Sequence, residues 1–227
     1  MSAKDIYNEW LADPDVDEET RAELLAIEGN DAEIEDRFYK ELEFGTGGLR
    51  GIMGIGSNRI NKYNVRKASN GFARFLLEKY GTEVWRGVAV AYDTRNNSAR
   101  YAKQTALTMC ALGIPAYLFT ITCPTPMLSF TVRQLGCCGG VIITASHNTK
   151  QYNGYKAYDE TGCQLYPYTA DAVIAEVDKV DITRTISMPE DEAVEKGLLH
   201  YIGEDILRKY IDAVKGEANP ISAEEKA

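Results

Sequence analysis

The sequence lacks the cysteine pattern of a secreted protein. Its five cysteines form no C-x-x-C pair and leave an odd one over, and no apolar leader segment opens the chain. The adjacent Cys137 and Cys138 are poor candidates for a redox pair, since sequence neighbours rarely reach disulfide geometry. We therefore expect reduced thiols in a cytoplasmic protein.

The sequence also lacks a continuous apolar helix and a positive net charge. Residues 104–132 carry no charged side chain, but glycine, threonines and three prolines interrupt this span. It therefore cannot form one membrane-crossing helix. The formal net charge of −9 argues against nucleic acids and anionic membranes as partners.

Acidic and basic residues are unevenly distributed along the chain. Residues 1–43 hold 15 acids and 4 bases, residues 44–160 hold 5 acids and 14 bases, and residues 161–227 hold 14 acids and 7 bases. The basic middle section favours a small anionic ligand such as a phosphorylated metabolite. We interpret the acidic excess of residues 1–43 as a solvated face.

Short apolar runs alternate with amphipathic segments along most of the chain. We expect two or three helices within residues 4–41, followed by a helix that Asn64 caps and that ends near Tyr80. The elements predicted next are strands at 87–92, 116–119 and 141–144, helices at 98–112 and 125–135, a hairpin at 152–162, a helix at 166–180, a strand at 182–186 and a helix from 203. This alternation predicts an α/β fold, taken as a three-layer α/β/α domain with a mixed, mainly parallel sheet.

The same pattern predicts three parts of the chain. Residues 1–43 form a helical segment, residues 44–202 the α/β/α domain, and residues 203–227 a linker helix with the start of a further domain.

Three polar loops are expected at one edge of this sheet. Residues 44–51, Phe-Gly-Thr-Gly-Gly-Leu-Arg-Gly, offer backbone N–H groups, a hydroxyl and the Arg50 guanidinium to an anion. Residues 93–95, Asp-Thr-Arg, and residues 144–148, Thr-Ala-Ser-His-Asn, each follow a strand. The carboxyl ends of strands are where α/β proteins bind their ligands.

Ser146 is the candidate phosphoryl carrier in the last of these loops. A serine that holds phosphate needs a cationic pocket rich in N–H donors, and Arg50, Arg95 and Lys156 would supply its charge. Lys156 ends the segment 153–156, Asn-Gly-Tyr-Lys. Nearby positive charge would lower its pKa and let it transfer a proton. We therefore predict phosphoryl transfer to and from a sugar.

Two other functions remain open for these loops. A serine hydrolase needs a histidine that reaches the serine, but His147 is its sequence neighbour and His200 lies far away in a predicted helix. A G-x-S-x-G elbow is also missing. A phosphosugar-binding module without chemistry would explain the basic loops but not an exposed Ser-His-Asn at a strand end.

Taken together, the motifs at 44–51, 93–95 and 144–156 strongly resemble those of the α-D-phosphohexomutases. The similar branch is the bacterial phosphoglucomutase/phosphomannomutase group, which includes phosphopentomutases, and the resemblance covers roughly residues 40–215. It implies the first-domain fold of that family. It also implies transfer of phosphate between the 1- and 6-positions of glucose or mannose, or the 1- and 5-positions of a pentose. A phosphoglucosamine-type substrate is the alternative.

The resemblance further implies a role for each matching residue. Ser146 would carry the phosphate, and a phosphate oxygen would bind Mg²⁺ together with three aspartates. A hexose bisphosphate would be the intermediate and activator. The remaining implied roles are acid/base catalysis and charge stabilisation for Lys156 and Arg50, steadying of the catalytic loop and the substrate for His147 and Asn148, phosphate binding for Thr46, Gly47 and Gly48, and support of the serine loop for Asp93 and Arg95.

Three further motifs of that family do not occur in these 227 residues: an Asp-Gly-Asp-x-Asp metal loop, a Gly-Glu-x-Ser-Gly sugar loop and a C-terminal phosphate loop. We expect the chain to be the first domain and linker helix of a longer protein, and to be inactive as a mutase by itself. The predicted linker helix carries an apolar stripe of Ile206, Tyr210 and Val214. We expect this stripe to pack on its own domain, or on a second copy through dimerisation or helix exchange of 203–215.

Overall fold

A computed structural model describes residues 1–45 and 47–217 of the protein. These residues form nine α-helices: α1 (Ala3–Ala12), α2 (Glu18–Ala26), α3 (Asp31–Phe38), α4 (Lys62–Tyr80), α5 (Ser98–Ala111), α6 (Thr125–Leu135), α7 (Pro167–Val177), α8 (Glu190–Glu195) and α9 (Glu204–Gly216). They also form six strands: β1 (Gly48–Ile52), β2 (Val88–Tyr92), β3 (Ala116–Phe119), β4 (Gly139–Ile143), β5 (Tyr152–Asp159) and β6 (Leu199–Ile202). None of the described helices combines the length and apolarity that a bilayer crossing requires.

The six strands form one sheet in the order β1-β5-β4-β2-β3-β6. β2 pairs in parallel with β3 and β4, and β3 pairs in parallel with β6. β5 runs antiparallel to both of its neighbours, β1 and β4. The predicted α/β class with a mixed, mainly parallel sheet is therefore confirmed. Because only β5 is reversed, its amino end and the carboxyl ends of the other strands share one edge, called here the carboxyl edge.

Helices cover both faces of this sheet. On one face, α4, α5 and α7 contribute Phe72, Met109 and Val173 to the larger apolar core. On the other face, α6 and α9 contribute Leu128 and Ile206 to a second core. The sheet strands are thus buried from both sides, which explains their continuous apolar runs.

Helices α1 to α3 are joined to the domain by an aromatic cluster. The ring centroid of Trp10 lies 5.7 Å from that of Phe38 and 5.2 Å from that of Tyr63, both edge to face. All three side chains are buried, and Tyr63 belongs to α4. The helical segment therefore packs directly on the α/β domain, and the division at residue 43 stays a prediction.

Helix α4 begins earlier than predicted. Asn61, rather than Asn64, caps it, because the Asn61 Oδ1 accepts hydrogen bonds from Tyr63 N at 3.0 Å and Asn64 N at 3.1 Å. The side chain of Asn64 instead donates to the Arg59 carbonyl at 2.7 Å. Both asparagines are buried, so only the three-dimensional arrangement distinguishes the cap from its neighbour.

The strands near the margins of the sheet also differ from the predictions. β1 lies where a loop is predicted. In place of the predicted hairpin there is one strand of eight residues, β5, and the chain that turns back after it pairs with it only through the antiparallel bridge of Tyr158 with Gln164 among the described residues. The predicted strand at 182–186 is wrong, since the sixth strand is β6. His200 therefore lies in a strand and not in a helix. The structure of the edge strands β1 and β6 is set by their pairing partners more than by their own residues.

Cys137 and Cys138 lie at the entrance to β4 and face opposite sides of the sheet. Cys137 packs in the core beneath α6, whereas Cys138 packs in the core beneath α4 and α5. All five cysteines are unbridged. Burial raises the pKa of Cys123 and Cys137 to about 12, so these thiols stay protonated at neutral pH.

Helix α9 packs back onto its own domain. Ile206 is buried, and the Tyr210 ring meets the Phe130 ring of α6 edge to face, with 5.6 Å between centroids. Val214, the third residue of the predicted stripe, is 53% exposed. Two of its three residues thus have partners within the chain.

At Gly71, helix α4 packs so closely on α7 that there is no room for a side chain. Alanine favours a helix over glycine by about 1 kcal/mol, yet a Cβ on Gly71 would lie 2.5 Å from the Val177 Cα, a backbone atom of α7. Gly71→Ala is therefore expected to lower the free energy of unfolding by about 1–3 kcal/mol, measured by urea denaturation. Gly216→Ala is the matched control, because among the described residues a Cβ at that position would meet no atom within 4 Å outside its chain neighbours and the backbone of its own helix. Equal or greater stability of Gly71→Ala would contradict the close packing.

Candidate functional site

The predicted polar loops meet at the carboxyl edge. Asp93 N donates to the Ile143 carbonyl at 3.1 Å, which ties the loop after β2 to the end of β4. Arg50 Nη1 of β1 donates to Asn148 Oδ1 at 2.8 Å. These contacts bring residues from all three predicted loops into one region.

Two hollows open at this edge, and Thr144 lines both. The larger, called the serine cleft, has a volume of about 790 Å³ and includes Ser146, His147 and Lys150. The smaller, called the glycine hollow, has a volume of about 370 Å³ and is lined by Gly45, Gly47, Gly48, Leu49, Arg50, Thr144, Tyr155, Lys156 and Gln164.

Ser146 adopts a backbone conformation that is rare outside glycine. Its φ is +58°, in the left-handed region that costs most L-residues about 1–2 kcal/mol. Its N–H donates to Thr144 Oγ1 at 3.0 Å, and its Oγ lies 3.2 Å from His147 Nδ1. The residue is exposed. The turn thus presents the serine hydroxyl to the cleft.

Arg95 holds in place the loop between β4 and β5, residues 144–151, called here the serine loop. Its side chain is only 14% exposed, and the guanidinium donates to four backbone carbonyls of the loop and of the start of β5. The carbonyls are those of Ser146 at 2.9 Å, Asn148 at 2.6 Å, Thr149 at 2.9 Å and Tyr152 at 3.1 Å. A loop without regular secondary structure is therefore fixed from behind by one cation.

Asp93 in turn holds Arg95. The Asp93 Oδ2 lies 3.2 Å from Arg95 Nε, while Oδ1 accepts from Arg95 N at 3.0 Å and from Ser98 Oγ at 2.7 Å. Both carboxylate oxygens are engaged in positioning, so Asp93 is poorly placed to serve as a metal ligand.

Arg50 and Lys156 lie on the same face of the sheet. Leu49 and Tyr155, which are paired across β1 and β5, both enter the core beneath α4. Because side chains alternate along a strand, Arg50 and Lys156 face the opposite side. Burial, and then the positive charge of Arg50, lower the pKa of Lys156. The lysine therefore gives up its proton more easily than a solvated one.

Gly47 and Gly48, which lead into β1, pack directly against β5. Gly45 N donates to the Gly48 carbonyl at 2.7 Å and closes a tight turn. Gly48 has φ +143°, and a Cβ there would lie 1.8 Å from the Tyr155 carbonyl oxygen, so the position requires glycine. Gly47 is buried in the same turn, and Thr46 lies outside the described residues.

Some residues of the site are not identified from the sequence. Gln164 lies over Gly47, where a Cβ would come within 2.0 Å of the Gln164 Nε2. It reaches the glycine hollow through the turn after β5, and no local pattern indicates this. Lys150 and Asn153 fall inside quoted motifs, but the sequence assigns them no role.

The two histidines are placed differently from each other. The contact between Ser146 Oγ and His147 Nδ1 shows that these neighbouring side chains do meet, contrary to the expectation. His200 stacks on Tyr117 with 5.1 Å between centroids, three strands away from β4. Asp93 is bonded to Arg95 and Ser98, so the loop offers no Ser-His-Asp relay.

Acidic residues of the N-terminal segment, residues 1–43, form ion pairs with bases of residues 44–160. The interpretation of these acids as a solvated face is therefore only partly right. Five ion pairs among the described residues join the two sections: Asp17 and Glu19 each with Lys62, Glu19 also with Arg100, Asp36 with Arg59, and Glu41 with Lys67. Within the described part of the chain, Arg50, Lys150 and Lys156 form no such pair. Three bases without an acid partner among the described residues thus lie around the exposed Ser146, where they favour an anion.

Comparisons with known proteins agree with this arrangement. Residues 41–184 match the family described as phosphoglucomutase/phosphomannomutase, alpha/beta/alpha domain I. The phosphopentomutase of Homo sapiens is 41% identical over 147 residues, which are 62% of this chain and 24% of that protein. The phosphoglucomutase of Staphylococcus epidermidis strain ATCC 12228 is 34% identical over 208 residues, 92% of this chain and 37% of that protein.

A solved structure shows the same fold. A phosphoglucomutase/phosphomannomutase family protein from Burkholderia thailandensis has a TM-score of 0.59 at 19% identity, covering 79% of this chain and 36% of that one. The chain spans well under half the length of these relatives. With its family match extending over more than half of its residues, the chain belongs to the phosphoglucomutase/phosphomannomutase family and contains its α/β/α domain I.

Proposed function

We propose that Ser146 carries the phosphoryl group of a phosphosugar mutase. The observation that carries this proposal is an exposed serine hydroxyl, on a loop clamped by Arg95, in a region where Arg50, Lys150 and Lys156 have no acid partner among the described residues. The substrate would be a hexose phosphate exchanging between its 1- and 6-positions, or a pentose phosphate exchanging between its 1- and 5-positions. The names of the relatives support this class.

The geometry suggests a role for each side chain in one transfer. The bond between Ser146 Oγ and phosphorus breaks while a bond forms between phosphorus and a sugar hydroxyl oxygen. Neutral Lys156 takes the proton of that hydroxyl, and a proton from His147 Nδ1 returns to Ser146 Oγ. Arg50 balances charge on the transferring group. The reverse sequence moves the other phosphate of the hexose bisphosphate intermediate onto Ser146.

Mg²⁺, which the family resemblance implies, is not accommodated by these residues alone. Within residues 1–45 and 47–217, no group of three His, Cys, Asp or Glu side chains could hold a metal ion. A serine phosphate alone is a poor Mg²⁺ site, since this ion prefers near-octahedral oxygen ligands that include carboxylates. No step above is therefore assigned to the metal.

The first prediction concerns Ser146 itself. Prolonged incubation of the chain with glucose 1,6-bisphosphate and Mg²⁺ is expected to leave one phosphate on Ser146, because a single transfer needs only the serine and its cations. Mass spectrometry of the intact chain and its peptides measures this. Turnover of glucose 1-phosphate at an ordinary enzymatic rate is not expected, since each transfer stays slow where the described residues lack a metal cluster.

Two variants control that experiment. Ser146→Ala should acquire no phosphate, whereas Ser129→Ala, which removes a half-buried hydroxyl on α6, should be labelled like the unaltered chain. Absence of phosphate from Ser146, or labelling that persists in Ser146→Ala, would contradict the proposal.

A second prediction separates proton transfer by Lys156 from simple charge. During labelling, protonated Lys156 donates to the departing sugar oxygen, so Lys156→Met should slow labelling about a hundredfold or more. Bisphosphate affinity, measured by calorimetry, should fall much less. Since the protonated form is required, the labelling rate should decrease as pH rises through the lowered pKa of Lys156.

Lys150→Met is the matched control, because Lys150 adds a charge to the adjoining serine cleft. It should weaken binding without the large loss of rate. Equal losses of rate and affinity in Lys156→Met would argue that Lys156 only attracts the phosphate.

A third prediction concerns the influence of Arg50 on this lysine. Arg50→Met removes a positive charge near Lys156, so the pKa of Lys156 should rise, measured by NMR titration of its side-chain ε-carbon. Because burial is the larger cause of the lowering, the pKa should stay below its ordinary value. Lys150→Met should not shift it. An unchanged pKa in Arg50→Met would show that the guanidinium does not act on Lys156.

A further inference from the structure

Two fully buried polar side chains lie behind the serine loop, and neither lines the serine cleft or the glycine hollow. Ser98 and Asn153 have no exposed surface. The sequence predicts Ser98 as a helix cap, but Asn97 occupies that position and makes no side-chain cap bond. Ser98 Oγ instead donates to Asp93 Oδ1 at 2.7 Å and accepts from Asn153 Nδ2 at 2.9 Å.

The amide of Asn153 is satisfied entirely by the chain. Its Nδ2 also donates to the Asn96 carbonyl at 3.1 Å, and its Oδ1 accepts from Gly154 N at 2.8 Å. Asn153 lies in β5, three residues before Lys156. It therefore connects the strand that bears Lys156 with the loop that follows β2.

These bonds form a continuous chain of contacts that is fully buried at Asn153 and Ser98 and partly buried at Asp93 and Arg95. Asn153 bonds to Ser98, Ser98 to Asp93, and Asp93 to Arg95, whose guanidinium holds the serine loop. Asp93 presents two oxygens, and the Ser98 hydroxyl fixes which of them faces the Arg95 main chain. Buried polar groups linked in this way specify one arrangement, because each rearrangement leaves a group unpaired.

We propose that Ser98 and Asn153 are positioning residues that orient Arg95 and thereby fix Ser146 relative to Lys156. This inference rests on the proposed function, since it assigns the phosphate to Ser146 and the proton to Lys156. Neither residue needs to touch the sugar phosphate. Their effect reaches the substrate only through the loop that Arg95 holds.

The test compares the mobility of the serine loop in three variants of the chain. Ser98→Ala removes the bridging hydroxyl. Asn153→Asp keeps an acceptor for Gly154 N but loses both donated bonds, and Asn153→Ala removes the whole amide. The readouts are amide hydrogen exchange at Ser146 and Asn148, the labelling rate of Ser146, bisphosphate affinity and urea stability.

Two control variants separate this role from a general loss of stability. Asn61→Ala removes another buried asparagine, which bonds only to the backbone around the start of α4. Ser69→Ala removes a buried serine whose Oγ has no hydrogen-bond partner among the described residues. Asn61→Ala should lower global stability without changing exchange at the serine loop relative to the rest of the domain.

In Ser98→Ala, Asn153→Asp and Asn153→Ala we expect amide hydrogen exchange at Ser146 and Asn148 to become about ten times faster. This is the effect expected when the loop loses the support of one buried hydrogen bond. Labelling should slow while bisphosphate affinity stays close to that of the unaltered chain. Should Asn153→Ala fail to fold, Ser98→Ala and Asn153→Asp decide the question.

The inference would be overturned if amide hydrogen exchange in the serine loop were no faster in Ser98→Ala and Asn153→Asp than in the controls Asn61→Ala and Ser69→Ala. Absence of labelling in the unaltered chain would instead overturn the proposed function. The exchange comparison distinguishes these two failures because it needs no phosphoryl transfer.

Discussion

The geometry of the site depends on one guanidinium group. Arg95 donates to four carbonyl oxygens of the serine loop and the start of β5, and Asp93 orients it. Hydrogen bonds to a charged group are worth about 1.5–3 kcal/mol each, so together they can offset the unfavourable backbone conformation of Ser146. With its carbonyls held from behind, the loop can expose its serine side chain and remain in one conformation.

Charge acts at this site through the bases that remain unpaired rather than through the net charge. Residues 44–160 hold a large excess of bases, but Lys62, Lys67 and Arg100 are engaged by acids of the N-terminal segment. Such partly exposed pairs contribute little to stability. They do cancel positive charge over one side of the domain. At the carboxyl edge, Arg50, Lys150 and Lys156 keep their positive charge without an acid partner among the described residues, so an approaching anion is attracted there.

Sequence reasoning succeeds here where a local pattern coincides with a structural role. β2 and β4 are apolar runs that end abruptly in polar residues, so both the strands and the functional loops after them can be predicted. β1 and β6 lie at the two edges of the sheet, and β1 contains two glycines in five residues. Their pairing with neighbouring strands decides their structure. The roles of Gln164 and Ser98 likewise come from contacts with residues distant in sequence, which no local spacing reveals.

The reversed direction of β5 explains how the proposed phosphate carrier and proton donor come to share one short segment. β4, the serine loop and β5 form an antiparallel unit in which Ile142 pairs with Lys156 and Ile143 with Tyr155. A slip of one residue would turn every β5 side chain to the other face. Lys156 would then enter the core beneath α4, and Tyr155 would face the site. Two features oppose such a slip: the close packing of Gly48 against the Tyr155 carbonyl, and the buried hydrogen bonds of the Asn153 side chain. The register of this strand pair is therefore the structural condition for Lys156 to act on a group bound at Ser146.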